Sequence, residues 1–460
     1  MKLSTLLVIL FFLTVDIYSQ TSNDILNLLI NNKTISQAQA DSIRAENAIL
    51  QQSSLADKKL KIDFEFRPRT EYRNGYQQLR NDTTVGAFFT NQRSRLSASY
   101  SLNNRFNLQF SVQDLRVWGQ QDPKSTSATL QVFEAYAEPY LTDKLSIRIG
   151  RQRLVYDNQR LFAENDWRLS GATHDAFNIR YYSSRISTEL ALAFNQTSER
   201  LFGTDYTPSG FTNYKFLAVH YLKFNPIKYI TVTGLNSTDA YQDKSKTEKL
   251  YFRYTLGGRI EFEKNFLYAT FSGYYQGGQN STGKNLSAWY IQPEVKITLQ
   301  SGTVARIGVE VFSGDNNGVT TSTDHSFVPL YGVAHRFNGN MDLITKFPTD
   351  VRSAGLINPY LFLIQPVQKK FELRADFHTF SLQRDFYVSN KKIDRYLGFE
   401  NDLIVSYKPN AVTKIDVGFA YLIPTESFAI IKTSGNSKYD LSWAFISLTF
   451  KPVLFQTNFK

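Results

Sequence analysis

The sequence has no cysteine, and only 2 methionines and 5 histidines among 460 residues. Without thiols there is no disulfide framework, no thiolate metal site and no thioester lipid anchor. It also lacks a membrane helix: after the apolar run Leu6–Leu13 no stretch approaches the ~18 residues such a helix needs. Catalytic signatures are missing as well. His174, His220, His325, His335 and His378 are scattered, and no G-x-S-x-G or H-E-x-x-H occurs. The adjacent pairs His174–Asp175 and Asp324–His325 point in different directions along a strand, so neither forms a local dyad. The run Asp315-Asn-Asn-Gly318 lacks the later ligands of a calcium loop and reads as turn chemistry. No enzyme activity, metal or cofactor is expected.

What the chain does have is aromatic mass, with 36 Phe and 27 Tyr in a composition that is 42% hydrophobic. Such a chain buries ample apolar surface, which excludes disorder. Its 52 basic and 41 acidic residues leave a net charge of +11, which suits a nucleic-acid binder or a conduit for anions. The start of the chain decides between them. Lys2, the apolar run Leu6–Leu13 and a polar stretch ending Ile17-Tyr-Ser-Gln20 describe a secretory signal peptide over residues 1–19, cleaved after Ser19. Its removal takes one charge of each sign, Lys2 and Asp16, and an exported chain has no nucleic-acid partner. Residues 20–58 read as a small periplasmic helical extension. Ile25, Leu26, Leu28, Leu29 and Ile30 mark a first helix, and Ser36 with Gln39 forms a capping box opening a second through Ala38, Ile43, Ala45 and Ile49.

From Leu60 the hydropathy switches to period two. Leu60, Ile62, Phe64 and Phe66 share one face, with Lys61, Asp63, Glu65, Arg67, Arg69, Glu71 and Arg73 on the other. The same alternation sets Leu250, Phe252, Tyr254, Leu256 and Ile260 against Arg253, Thr255, Arg259 and Glu261. It sets Ala305, Ile307, Val309 and Val311 against Arg306 and Glu310. Phe371, Leu373, Ala375 and Phe377 oppose Glu372, Arg374, Asp376 and His378. Leu397, Phe399, Leu403 and Val405 oppose Glu400 and Asp402, and Ile415, Val417, Phe419 and Tyr421 oppose Lys414 and Asp416. Each such strand separates an apolar medium from a wet one.

One-faced alternation also fits a soluble sandwich, but the connections favour a membrane. Short polar turns near Asn103–Asn104, Thr142–Lys144, Ser183–Ser184, Asn225–Lys228, Glu263–Asn265, Ser301–Gly302, Gln368–Lys370 and Pro409–Asn410 alternate with long loops. The loops are Asn74–Val85, Gly119–Ser127, Asp157–Gly171, Gln196–Thr212, Ser237–Glu248, Gly277–Asn285, Ser313–Asp350, Arg384–Asp394 and Pro424–Lys438. This is the layout of an outer-membrane barrel, turns in the periplasm and loops outside. The expected fold is all-β, a transmembrane antiparallel β-barrel of about 18 strands over residues 59–460. Only a closed barrel satisfies every backbone group in lipid.

A barrel of ~16–18 strands is too wide for side chains to fill, so its inward residues line a conduit. Arg67, Arg69 and Arg73 lie on the first strand, and Arg93 and Arg95 on the second. Folding the hairpin about Asn74–Val85 brings Arg93 and Arg95 level with Glu65 and Arg67, a basic patch near mid-depth extended by Arg116 and Arg148. Guanidinium groups meet carboxylates bidentately and stay charged at any pH, so this patch supplies weak, repeated sites for organic anions. The bland alternative is that the arginines pair with Glu65, Glu134 and Glu138 and brace the wall.

An ordered series of fragments points further. Val112-Gln-Asp-Leu-Arg-Val-Trp-Gly119, Phe133-Glu-Ala-Tyr136, Ile149-Gly-Arg-Gln-Arg153, Asn158-Gln-Arg-Leu161, Asp166-Trp167 and His174-Asp-Ala-Phe177 follow one another. A later block has Phe312-Ser-Gly-Asp-Asn316, Phe327-Val-Pro-Leu-Tyr331 and Gly339-Asn-Met-Asp342. Together they resemble the alginate-export porin family. The resemblance implies a monomeric 18-stranded barrel in the Gram-negative outer membrane, with an arginine-rich lumen passing an anionic polysaccharide and a periplasmic partner feeding it. It also implies Asp114, Arg116, Arg151, Arg160, Asp166, Arg180 and Asp342 as pore or loop-support residues. The expected function is passive passage of acidic saccharides or other organic anions. The alternatives are a general diffusion porin and a surface-binding barrel with a closed lumen that uses the loop Ser313–Asp350.

Overall fold

The computed structural model describes residues 22–32, 34–44, 58–103, 105–122, 124, 129–206 and 213–459. The expected signal peptide, residues 1–19, lies outside the described residues. The chain divides into two compact units, residues 1–59 with 457–460, and residues 60–456. In the first, helix α1 spans Ser22–Asn31, and residues 37–44 form a second helix. The capping box is present: Gln39 N donates to Ser36 Oγ at 3.2 Å and Ser36 N to Gln39 Oε1 at 2.8 Å. Arg44 ties the two helices together by donating to Asn27 Oδ1 at 2.7 Å.

The second unit is a closed antiparallel barrel of 18 strands. The first nine are β1 (Lys58–Asn74), β2 (Ala87–Leu102), β3 (Phe106–Val117), β4 (Leu130–Pro139), β5 (Leu145–Gln152), β6 (His174–Tyr182), β7 (Ile186–Phe194), β8 (Phe216–Ile227) and β9 (Ile230–Gln242). The rest are β10 (Leu250–Lys264), β11 (Leu267–Gln279), β12 (Asn285–Thr298), β13 (Val304–Phe312), β14 (Leu356–Gln368), β15 (Phe371–Leu382), β16 (Tyr396–Asn410), β17 (Thr413–Pro424) and β18 (Leu441–Phe450), which Val453–Phe459 prolongs. Each strand pairs with its sequence neighbours, and β1 closes the ring on β18 from Phe66 opposite Phe450 to Asn74 opposite Ser442. Every edge is thereby used, as a wall in hydrocarbon demands.

The alternation read from sequence emerges as an inside-out burial pattern. On β10, Phe252, Leu256 and Ile260 are exposed while Arg253, Thr255 and Arg259 are buried between them. On β13, Ile307 is 63% exposed and Glu310 is 0% exposed. A water-soluble sheet has the opposite arrangement; only an apolar solvent outside rewards this one.

Three expectations need correction. Leu397, expected on the outer face, is completely buried, because the β15–β16 ladder skips it between Gly398 and Tyr396 and the extra residue turns inward. The expected loop Ser237–Glu248 is mostly strand: β9 continues to Gln242 and pairs with β10 up to Leu250. Ser237 and Asp239 are polar because they face inward, where they are buried, and Gln242, on the other face, is buried by its bonds to Asp205 and Thr247 at the strand end. The third concerns the long loops, which do not all lie outside. Residues 153–173 and 313–355 enter the barrel and bridge each other, Phe162 lying parallel to Tyr331. Tyr331 N donates to Leu161 O at 2.9 Å and Val333 N to Gln159 O at 3.0 Å. Leu161, Phe162, Phe327, Met341, Leu343, Ile344 and Phe347 form one apolar cluster with the wall residues Phe312, Trp443 and Phe445. Burial of this surface holds the loops inside.

Candidate constriction and its charged wall

The long inward loop is fastened to the wall by buried carboxyl groups. Met341 N donates to Glu400 Oε1 at 2.7 Å and Asn340 N to Asp402 Oδ2 at 3.1 Å. Gly339, at φ +79°, lies so close that a Cβ would come within 2.4 Å of the Glu400 carboxyl. Glycine alone combines that left-handed backbone with that approach. Helix α2 (Glu426–Lys432), capped by Thr425, adds a clamp from the connection between β17 and β18. Its Lys432 Nζ reaches Leu343 O and Asp350, both at 2.8 Å.

The shorter inward loop rests on the arginines of β1 and β2. Arg67 donates to Asp166 Oδ2 at 3.3 Å and to the carbonyls of Asp166 and Arg168 at 2.9 and 3.2 Å. Arg93, fully buried, pairs with Asp166 at 2.7 Å and with Glu65 on the facing strand. Arg69 bonds Glu71 at 2.8 Å and Trp167 O at 3.0 Å, and its guanidinium lies 4.0 Å over the Trp167 ring. Arg95 holds Gln113 and stacks 3.5 Å from the Phe133 centroid. Burial opposes ionisation of Asp166, but the cations of Arg93 and then Arg67 outweigh it and bring its carboxyl down to about 2. Trp167 stacks on His335 at 4.3 Å, and His335 bonds Asp342 at 2.8 Å, so the two inward loops share one network. In Asp342, burial is again outweighed by His335 and by two hydrogen bonds, and the carboxyl is held below its usual range.

Lys451, which joins the two segments of the last strand, completes the cluster with a 2.9 Å contact to Glu65. Arg67, Arg93, Arg95 and Lys451 thus surround only two carboxylates, Glu65 and Asp166. Four positive charges against two negative leave an excess of +2. Lys451 is the most accessible member, its side chain 55% exposed against 12% for Arg67. Sequence reading missed Lys451 because its role depends on the register in which the last strand meets the first. It missed Trp167 as a platform because a loop position has no periodicity to read.

The remaining candidates separate by parity. Arg148 and Arg180 face inward, and Glu138 binds them at 2.8 and 2.7 Å; Glu189 adds a 3.1 Å contact to Arg180. Two bases against two acids give a neutral brace. Arg160 is buried between the inward loops, bonded to Val333 O at 2.7 Å and paired with Glu310 at 2.8 Å. Asp114 and Arg116 depart from expectation. They share the outer face of β3 with the exposed Leu108 and Phe110, and they pair with each other at 2.6 Å. Arg151 likewise lies on the outer face, beside exposed Ile149, and bonds Asp175 at 2.8 Å. A strand alternates strictly, so these three charges point away from the lumen.

Solved structures of low sequence identity share the fold. Pseudomonas aeruginosa OccK8 (OprE) superposes with a TM-score of 0.58 at 11% identity, covering 86% of this chain and 98% of that one. A BenF-like porin from Pseudomonas fluorescens Pf-5 gives 0.58 at 9% identity over 86% and 99% of the two chains. Pseudomonas aeruginosa OpdK, solved with vanillate, gives 0.55 at 9% identity over 86% and 99%. No curated protein matches the sequence. The family profile described as alginate export matches residues 58–429, the span of nearly the whole barrel, and the chain belongs to that family.

Proposed function

We propose that the protein is a passive channel of a Gram-negative outer membrane that favours acidic saccharides or other organic anions. The family and the porin fold support a channel for saccharides or anions. The single observation behind anion preference is the wall of β1, β2 and β18, where four cations face two carboxylates beside the inward loops. At physiological salt the Debye length is about 8 Å, so this excess acts on any ion passing a narrow constriction. The guanidinium groups have two roles in this reading: they seat the loop through Asp166, and they leave net positive charge beside it.

Planar bilayers under a salt gradient test it. The wild type is expected to show an anion-selective reversal potential, and Arg95→Gln with Lys451→Gln is expected to bring it toward zero. Oligouronates are expected to interrupt the current at concentrations where neutral oligosaccharides do not. A cation-selective wild type would refute the proposal. Equal blockage by both sugars would favour a general diffusion porin.

A further inference from the structure

The rim made by the short turns carries a charge pattern that the lumen does not account for. Arg105, Lys144, Arg185, Lys228, Lys264 and the pair Lys369–Lys370 lie in or beside six of the eight turns, and all are exposed. Among the described residues none of the seven pairs with a carboxylate. Acidic residues near these turns are few: Asp143, Glu263 and Glu372. The opposite rim differs, because its loops mix signs and pair them, as in Arg200–Asp205 and Lys392–Asp385.

These cations stand next to exposed apolar side chains: Leu141 beside the Lys144 turn, Ile227 beside Lys228, Phe266 beside Lys264 and Val367 beside Lys369. Lys228 and Lys264 both lie over the Tyr229 ring, at 5.5 and 5.3 Å. An apolar belt edged by aromatic and basic side chains matches the boundary between acyl chains and headgroups. The distribution selects the partner. The cations are spread around the circumference, singly except for Lys369–Lys370, from the β2–β3 turn to the β14–β15 turn. A docking protein needs a contiguous sector, and a threading polymer meets inward side chains. Only the surrounding leaflet touches every turn.

We propose that this ring is a recognition belt for anionic phospholipid headgroups in the leaflet on the turn side. Unpaired lysine and arginine side chains there meet headgroup phosphates without first breaking an ion pair. The inference stands on the position of the turns and holds whatever passes through the lumen.

The test uses the full chain reconstituted into vesicles of phosphatidylcholine alone or mixed with phosphatidylglycerol, and native mass spectrometry of lipids retained on the barrel. Phosphatidylglycerol is expected to be retained over phosphatidylcholine by at least about fivefold. The combined variant Arg185→Gln, Lys228→Gln, Lys369→Gln, Lys370→Gln is expected to lose that preference while keeping the heat-modifiable gel mobility of a folded barrel. Equal retention of the two lipids by the wild type overturns the proposal. So does an unchanged preference in the variant, which would place the lipid elsewhere. If the variant changes only binding of a soluble oligouronate added on the turn side, the ring serves a polymer and the lipid assignment falls.

Discussion

At the scale of single residues, Asp166 is the charged tie between the shorter inward loop and its arginine seat. Its folded carboxyl sits at about 2, below the ordinary 3.8. A depressed carboxylate contributes stability above its unfolded value and loses it as pH falls through its folded value. The loop is therefore expected to stay seated at neutral pH and to loosen only between about 4 and about 2. Hydrogen exchange at the amides of residues 164–170, referred to the intrinsic rate at each pH, reports the loop. Faster exchange should begin only in that acidic window, and Asp166→Asn should give fast exchange at every pH. Onset near neutrality would contradict the assignment. Part of this seat was legible in sequence: the meeting of Arg93 with Glu65 follows from folding one hairpin, since the separation of strand partners is fixed by the turn. Asp166 was placed by resemblance only, because nothing local says that a loop residue will travel to a distant wall.

At the scale of elements, residues 313–355 behave as a folded insert. Their burial is apolar through Phe327, Met341, Leu343, Ile344 and Phe347, and their backbone is held by Glu400 and Asp402. Removing both anchors by Glu400→Ala with Asp402→Ala leaves two backbone donors buried without partners, each costing about 1–3 kcal/mol. The insert is expected to leave its place, and single-channel conductance to rise severalfold with frequent transitions; unchanged, quiet conductance would show that the apolar cluster alone suffices. The strands themselves were readable because alternation is local. The insert was not, since glycine- and polar-rich connections look external, and its density of Phe, Met, Leu and Ile was the overlooked sign. Asp114 and Arg151 were misplaced for a related reason, since family resemblance gives no face, and Arg116 because it was added to the basic patch without a parity count; counting from Phe110 and Ile149 turns all three outward.

At the scale of the whole molecule, the decisive property is that apolar side chains cover the outside and charged ones the inside. Ile307 stands in the middle of that outer surface. Ile307→Arg is expected to destabilise the barrel by about 2–4 kcal/mol in vesicles, against a small effect for Ile307→Ala. Denaturant titration of reconstituted protein measures the difference, and equal effects would mean that this surface does not meet hydrocarbon. Fold class and strand number were legible because the membrane imposes one rule on every strand. The proposed selectivity was less so, since it rests on the few positions where the balance of charge is incomplete.

Of the four tryptophans, two meet where the shorter inward loop touches the wall: Trp167 packs edge-on against Trp443 at 5.6 Å and lies flat on His335. Withdrawal of that loop would carry an indole from a packed aromatic nest into water. Its emission would then shift to the red, so the molecule holds an intrinsic optical reporter for the movement of the segment that narrows it.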